Sequence, residues 1–342
     1  MRGIFLVSET EGAEADQVEF QHSVANVRVF KPKELIVATD AFDPGRDLGE
    51  GTFGRVYKGV LEDGQEVAVK RYYGQEDLWP EVRMLSCIEH SNLIKMIGYC
   101  DKGKDHFIVY EFMPLRSLNL HLHDLKPGKK PLDWKTRMKI AEGVAKALEY
   151  LHDQNDPPII YGGWKKDGIL LDENYNPKLS NFECAKHGPK CVYIKPDGRL
   201  DGRMRYGYNG CIELRMTGTL TLRSDIYSFG IVLLELISGR KVFDITKTDK
   251  EHFILARARP LLSDSEKFPE IADPLMKGQY PCQGLVQALD LVKMCVQEEP
   301  RKRPRAAEVV TTLSSLISQT YEEAQGTTES DQFTPSTKVH RA

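Results

Sequence analysis

The chain has no apolar run of membrane-spanning length, and its early cluster Ile4-Phe5-Leu6-Val7 is too short for a signal-peptide core. It has no C-x-x-C pair. The seven cysteines (87, 100, 184, 191, 211, 282, 295) are scattered, a spacing that argues against a metal site and predicts free thiols in a reducing cytosol. It has no excess of positive charge: a formal net charge of −3 argues against a general nucleic-acid binder, and no nucleic-acid partner is expected. There are no internal repeats. Arg2 follows Met1, so the glycine needed for N-myristoylation is missing, and contact with a membrane is expected only indirectly, through a partner.

What is present suffices for a substantial core. The 342 residues are 41% hydrophobic and 28% charged, which suits one two-lobed domain with tails. Residues 1–28 are acidic and aperiodic, a flexible arm. Residues 29–46, with FKPKELIVATDAF, have helical spacing and form a short lead-in. From 47 to 113 the pattern is strand-like. VYKGVLEDGQEVAVKRY is two β-runs around a turn at Glu62-Asp63-Gly64, LWPEVRMLSCIE is a helix, and HFIVYEFM is a buried strand. From 114 to 320 the chain is helical. A helix capped at Asp133 carries an apolar stripe at Trp134, Met138, Ala141, Ala145, Leu148 and Leu151. SDIYSFGIVLLELISG is apolar nearly all round and should be buried, and GLVQALDLVKMCVQ and RAAEVVTTLSSLISQ add two more helices. Residues 321–342 are polar and expected to be disordered. The fold class is therefore α+β, a small β-rich lobe followed by a larger helical one.

The segment LGEGTFGRVYKG places Gly49, Gly51 and Gly54 between two strands, where backbone N–H groups can approach phosphates. Alone, G-x-G-x-x-G also fits a plain turn or a dinucleotide site. A dinucleotide site needs a helix directly after the glycines, and here a strand continues through Val56. Lys70 follows on the next strand, the arrangement of a kinase glycine loop with its strand lysine. Glu81 is the natural ion-pair partner for Lys70, or else an exposed helix glutamate. Pro80 is tolerated only in a first turn, so this helix starts late and is short, and the ion pair is expected to be poorly supported.

Taken with NLIKMIGYC, VYEFMPLRSLNLHLHDLKPGKKPLDWKTRMKIAEGVAKALEYLHD, PPIIY, ILLDENYNPKLSNF, SDIYSFGIVLLELISGRK and RKRP, residues 28–320 resemble plant receptor-like cytoplasmic kinases of subfamily VII. The resemblance implies a bilobal protein-kinase fold, with an N-lobe over 47–113 and a C-lobe over 114–320. Active members of that family phosphorylate serine and threonine and relay signals from receptor kinases in immunity and growth. The resemblance carries the ATP pocket onto Leu48, Gly49, Gly51, Gly54, Val56, Ala68, Lys70, Glu81, Glu111, Met113 and Leu170, with Tyr110 at its border.

The family's chemical positions are altered. Where it has Tyr/His-Arg-Asp-x-Lys-x-x-Asn, this chain has Tyr161-Gly162-Gly163-Trp164-Lys165-Lys166-Asp167-Gly168. Gly162 replaces the arginine that clasps a phosphorylated loop, and Gly163 replaces the aspartate that accepts the substrate proton. Lys165 is kept. Gly168 replaces an asparagine that holds magnesium. Asp-Phe-Gly has become Asn181-Phe182-Glu183, which puts a neutral amide where a carboxylate should hold magnesium. Only Asp167 and Glu183 are near enough to stand in. Losing a general base costs roughly 10²–10⁴-fold in rate, and losing both magnesium ligands removes the cation that neutralises the transferred phosphoryl group.

Residues 182–212 contain no serine or threonine, and the only hydroxyls there belong to Tyr193, Tyr206 and Tyr208. Six basic residues (186, 190, 195, 199, 203, 205) oppose three acids (183, 197, 201), which suits either an acidic partner surface or a solvated loop. Scaffold positions persist: Phe182, Asp225, Glu213 and Arg303, the last two an expected ion pair. The expectation is a pseudokinase that acts as scaffold, decoy or allosteric partner, binding ATP weakly and magnesium poorly. It would work with receptor kinases, other cytoplasmic kinases or immune receptors, in the cytoplasm or at the inner face of the plasma membrane. The alternatives are a weakly active Ser/Thr kinase and a non-functional truncated product.

Overall fold

A computed structural model describes residues 27–329 apart from 52, 75–76, 103, 163, 165–166, 189–191, 194–218, 245 and 247–251. Two compact units emerge, Met1–Leu120 with Tyr150–Asp225 and His121–Glu149 with Ile226–Ala342.

The first unit is built on a six-stranded sheet in the order β1-β5-β6-β4-β3-β2, comprising β1 (Arg28–Val29), β2 (Asp47–Glu50), β3 (Gly54–Val60), β4 (Glu66–Tyr72), β5 (Met96–Lys102) and β6 (Asp105–Glu111). The hairpin read from VYKGVLEDGQEVAVKRY is β3–β4. It turns at Gly64, whose N–H reaches the Leu61 carbonyl at 2.9 Å. Successive side chains on a strand point to opposite faces. One face of the sheet carries Val67, Val69, Phe107 and Val109, which form a core cluster with Phe30, Leu35, Ala38, Leu61 and Cys100. Burying aliphatic or aromatic side chains of this size stabilises by about 1.5–3 kcal/mol each. The lead-in supplies three members of that core, Phe30, Leu35 and Ala38. The short helix α1 (Pro32–Ala38) follows β1, which pairs parallel with β5 through Arg28↔Gly98 and Val29↔Tyr99. The opposite face presents Val56, Ala68, Lys70, Tyr72 and Tyr110, because Val56 stands across from Lys70 and Ala68 across from Tyr110.

Helix α2 (Trp79–Cys87) is short and begins at Trp79-Pro80, as the proline requires. Later in this unit β7 (Arg116–Ser117), β9 (Ile169–Leu171) and β10 (Pro177–Leu179) make a three-stranded sheet, and β8 (Ile159–Ile160) pairs with β11 (Lys186–His187).

The second unit is helical. Helix α3 (Trp134–Asp153) is capped as expected: Asp133 Oδ1 accepts from the Thr136 N–H at 2.8 Å. Helix α4 (Leu222–Ser238) is buried through Phe229, Ile231, Val232, Leu233, Leu234, Leu236 and Ile237. Then come α5 (Ile254–Leu262), α6 (Cys282–Cys295) and α7 (Ala306–Glu329). Arg137 is the main polar feature of this core. Its guanidinium donates to the Leu132 carbonyl (2.8 Å), the Leu236 carbonyl (2.8 Å) and Asp273 Oδ2 (2.6 Å) while only 1% exposed. Arg303, also buried, donates to the Gln297 carbonyl at 2.8 Å and lies over the Tyr227 ring; its expected partner Glu213 is outside the described residues.

The last helix runs to Glu329, past residue 321, where the polar composition suggested a disordered tail. The reason is local: Glu322, Glu323, Ala324 and Gln325 are all good helix formers, and polarity alone does not stop a helix. Among the described residues no helix is long and apolar enough to cross a membrane. Cys87, Cys100, Cys184, Cys282 and Cys295 are free thiols.

Candidate functional site

The site begins with alternation along β4. Lys70 and Tyr72 emerge on the same face, toward the start of α2, where Glu81 sits in the first turn. Lys70 Nζ lies 2.8 Å from Glu81 Oε2, with side chains 7% and 2% exposed. The Tyr72 hydroxyl donates to the same oxygen at 2.7 Å, and the Phe182 N–H approaches Glu81 Oε1 at 3.4 Å. This corrects the expectation of a poorly supported ion pair. A short helix suffices because Glu81 needs only the first turn, and Tyr72 braces it from the strand.

Lys70 has a second partner. Glu183 Oε1 stands 2.6 Å from Nζ, closer than Glu81, with its side chain 10% exposed. The residue that replaces the family's glycine thus reaches back to the strand lysine. Burial opposes the charge on Lys70, but the Glu183 and Glu81 carboxylates outweigh it and hold its pKa well above the ordinary value. Burial, and then the neighbouring Glu81 charge, push the hydroxyls of Tyr72 and Tyr110 upward as well.

The glycine loop joins β2 to β3. Gly54 is required by packing, since a Cβ there would lie 2.2 Å from the Arg71 carbonyl oxygen on β4. The Gly51 N–H donates to the Gly54 carbonyl at 2.8 Å, folding the loop tip on itself. Glu50, inside the loop, is held by Arg55 at 2.8 Å and by the Tyr73 hydroxyl. The Leu48 carbonyl accepts from Arg116. Val56 and Ala68 share the Lys70 face, and Leu170 lies on β9. After β6, the Met113 carbonyl accepts from Arg116 N–H at 3.0 Å, and among the described residues the Met113 N–H has no hydrogen-bond partner. The Glu111 carboxylate is engaged by Lys178 at 2.9 Å. Among the described residues the buried Tyr110 hydroxyl has no hydrogen-bond partner.

The altered catalytic segment is organised around Asp225. Its Oδ2 accepts from the Tyr161 N–H (2.7 Å) and lies 3.0 Å from His152 Nε2, while its Oδ1 accepts from the Gly162 N–H (2.9 Å) and from Trp164 Nε1 (2.8 Å). Tyr161 stacks edge-on against Trp164 and Phe182, with centroids at 5.1 and 5.3 Å, and its hydroxyl donates to the Ser180 carbonyl at 2.6 Å. Gly162 has φ +58° and Asn181 has φ +62°, the left-handed region that glycine and asparagine tolerate best. Gly168 supplies only its carbonyl, which accepts from the Ser180 N–H at 2.9 Å. Asp167, one of the two candidate stand-in carboxylates, is exposed and accepts from the Ser117 hydroxyl at 2.8 Å. Gly163 and Lys165 lie outside the described residues, as does most of the basic loop.

The structure therefore brings together Lys70, Glu81, Phe182 and Glu183 in one cluster, and Tyr161, Gly162 and Asp225 in another. Sequence reasoning missed the roles of Trp164 and Tyr72. A tryptophan inside the polar stretch GGWKKDG, and the i, i+2 spacing of Lys70 and Tyr72, were the available signals.

A comparison of the chain with known families matches the protein kinase domain over residues 42–313. The chain belongs to the protein kinase family. Similar curated relatives, all from Arabidopsis thaliana, include the probable serine/threonine-protein kinase PBL7, 48% identical over 92% of this chain and 84% of that protein. The serine/threonine-protein kinases PBL27 and PBS1 are 51% and 50% identical over 86% of this chain. The chain spans 58% of PBL27 and 65% of PBS1. Within this kinase domain the residues present do not fit the family's magnesium nucleotide. Asn181 offers only a neutral amide and Gly168 no side-chain ligand, and the ammonium that should meet phosphate is held by two carboxylates.

Proposed function

We propose that this chain is a pseudokinase, a kinase-shaped signalling protein that acts as scaffold, decoy or allosteric partner in plant receptor-kinase pathways, immune or growth-related. The observation that carries the reading is Lys70 clamped between Glu81 and Glu183, in a chain with no carboxylate at positions 163, 168 or 181. Phosphoryl transfer needs positioning plus cationic stabilisation of the transferred group, and both are lacking here. Its partners are receptor kinases, other cytoplasmic kinases or immune receptors, and one of them recruits it from the cytoplasm to the inner face of the plasma membrane. The basic stretch around Lys190, Lys195 and Arg199 is the segment proposed to meet an acidic partner.

The deciding experiment is radiolabelled phosphoryl transfer from ATP, with magnesium and with manganese, to the chain itself and to a generic substrate. No transfer is expected. Transfer that disappears in Lys70→Met overturns the pseudokinase reading in favour of a weakly active Ser/Thr kinase.

A further inference from the structure

We propose that Arg240 and Arg257, in the helical unit, form a binding site for a phosphorylated residue of a partner protein. The proposal goes beyond the non-catalytic reading and does not rest on it.

The backbone brings the two arginines together. Helix α4 ends at Ser238, and Gly239 turns the chain with φ +64°. The chain then runs along the start of α5: the Ile254 N–H donates to the Val242 carbonyl and the Asp244 N–H to the His252 carbonyl, each at 2.9 Å. This register brings Arg240, two residues before Val242, near Arg257, three residues past Ile254. Both side chains are half-buried. Burial, and then the Arg257 charge, lower the Arg240 pKa, so two like charges stand within reach of each other. Among the described residues neither guanidinium makes an ion pair or a hydrogen bond. Their neighbours do: Lys241 pairs with Asp124 at 3.3 Å and Arg259 with Glu298 at 2.9 Å.

The acids around the pair are engaged elsewhere. Asp273 packs so closely on Gly239 that a Cβ there would lie 2.3 Å from Oδ2. That oxygen accepts from Arg137 at 2.6 Å, and Oδ1 accepts from the Leu275 N–H at 2.8 Å. Asp244 Oδ1 accepts from the Thr246 N–H and hydroxyl at 3.0 and 2.7 Å. Glu235 accepts from the Val242 N–H at 3.2 Å, and burial pushes its pKa up to about 8, so it is largely uncharged at neutral pH. Three guanidinium groups therefore share the Asp273 carboxylate, an excess of two positive charges in a chain of net charge −3. A phosphomonoester carries about −1.5 to −2 at neutral pH, which matches that excess, whereas a carboxylate supplies only about half of it. The planar guanidinium fork also suits phosphate oxygens bidentately. Phe243, 45% exposed on the same returning segment, offers an apolar contact to the residue flanking the phosphate, which favours a peptide over a bare anion.

The test is titration calorimetry on the full chain, with thermal shift alongside. The probes are a short capped peptide carrying phosphoserine between leucines, its unphosphorylated and glutamate counterparts, and inorganic phosphate. Wild type should bind the phosphopeptide about tenfold or more tightly than any other probe. Arg240→Gln and Arg257→Gln should each weaken that binding about tenfold, and Arg257→Lys, which keeps the charge and loses the fork, should fall between. Arg259→Gln, on the same helix, should stay within about twofold. Arg257→Gln removes a like-charged neighbour, so its own melting temperature should not fall, which separates lost binding from lost folding. Saturating phosphopeptide should raise the melting temperature of wild type and not that of this variant. Three results overturn the proposal. One is no phosphopeptide binding to wild type. Another is equal affinity for the glutamate peptide or for inorganic phosphate, which makes the pair a general anion contact. The third is unchanged affinity in both glutamine variants, which puts the peptide elsewhere. None of these readouts involves phosphoryl transfer, so they stand whichever way the transfer assay falls.

Discussion

At the scale of single residues, two of the substituted positions in the catalytic segment, Gly162 and Asn181, hold left-handed backbone. Forcing a non-glycine side chain into the left-handed region costs about 1–2 kcal/mol. Gly162 avoids that cost, and asparagine at position 181 is among the side chains best suited to it. Gly162→Ala should therefore destabilise by about 1–2 kcal/mol in chemical denaturation. Its Cβ would also sit 3.3 Å from Leu220. Trp164 makes a separate prediction. Its indole N–H donates to the buried Asp225 carboxylate, and hydrogen bonds to charged groups contribute about 1.5–3 kcal/mol. Trp164→Phe keeps the ring against Tyr161 and removes the donor, so stability should fall by about that amount. A loss under about 0.5 kcal/mol would show that the bond carries no weight.

At the scale of elements, much was legible and the reasons are specific. Strand-like runs marked β3 and β4 with their hairpin turn at Gly64, and an apolar run marked β6. The apolar stripe from Trp134 to Leu151 marked α3, and the all-apolar run marked α4. Residues separated by long stretches of chain were not legible. Nothing in the order of letters says that Glu183 folds back 113 positions to Lys70, or that Arg137 meets Asp273. Those contacts depend on how elements pack, and a glutamate after Asn181-Phe182 reads only as a lost glycine. The Glu81 pairing was underestimated for the same reason, since Tyr72 supports it from a neighbouring element. In the helical unit, Arg137→Ala would leave the Asp273 carboxylate buried without its cation. Breaking a buried pair in this way costs about 3–5 kcal/mol, so denaturation midpoints should drop accordingly.

At the scale of the whole molecule, stability should depend on pH in a way that Glu235 reports. Burial pushes its pKa up to about 8 from an ordinary 4.5, and the Val242 N–H partly opposes the shift. A carboxyl whose folded pKa is raised favours the folded state while protonated in both states. That contribution declines as pH rises from about 4.5, where the unfolded group ionises, to about 8, where the folded one does. Thermal unfolding across this range should therefore show falling stability, and Glu235→Gln should flatten the fall. An identical slope in the variant would assign the effect to another group.

The lead-in of β1 and α1 has a practical consequence. The family match opens at residue 42, yet the sheet face carrying Val67, Val69, Phe107 and Val109 is completed by Phe30, Leu35 and Ala38, which precede it. The packed core thus begins near Phe30, ahead of the edge of the family match at residue 42. A chain cut at residue 42 would put an uncovered valine- and phenylalanine-rich sheet face into solvent, the kind of surface through which proteins stick to one another. Light scattering of the 342-residue chain and of one shortened to residue 42 would measure how far those fourteen or so preceding residues hold off self-association.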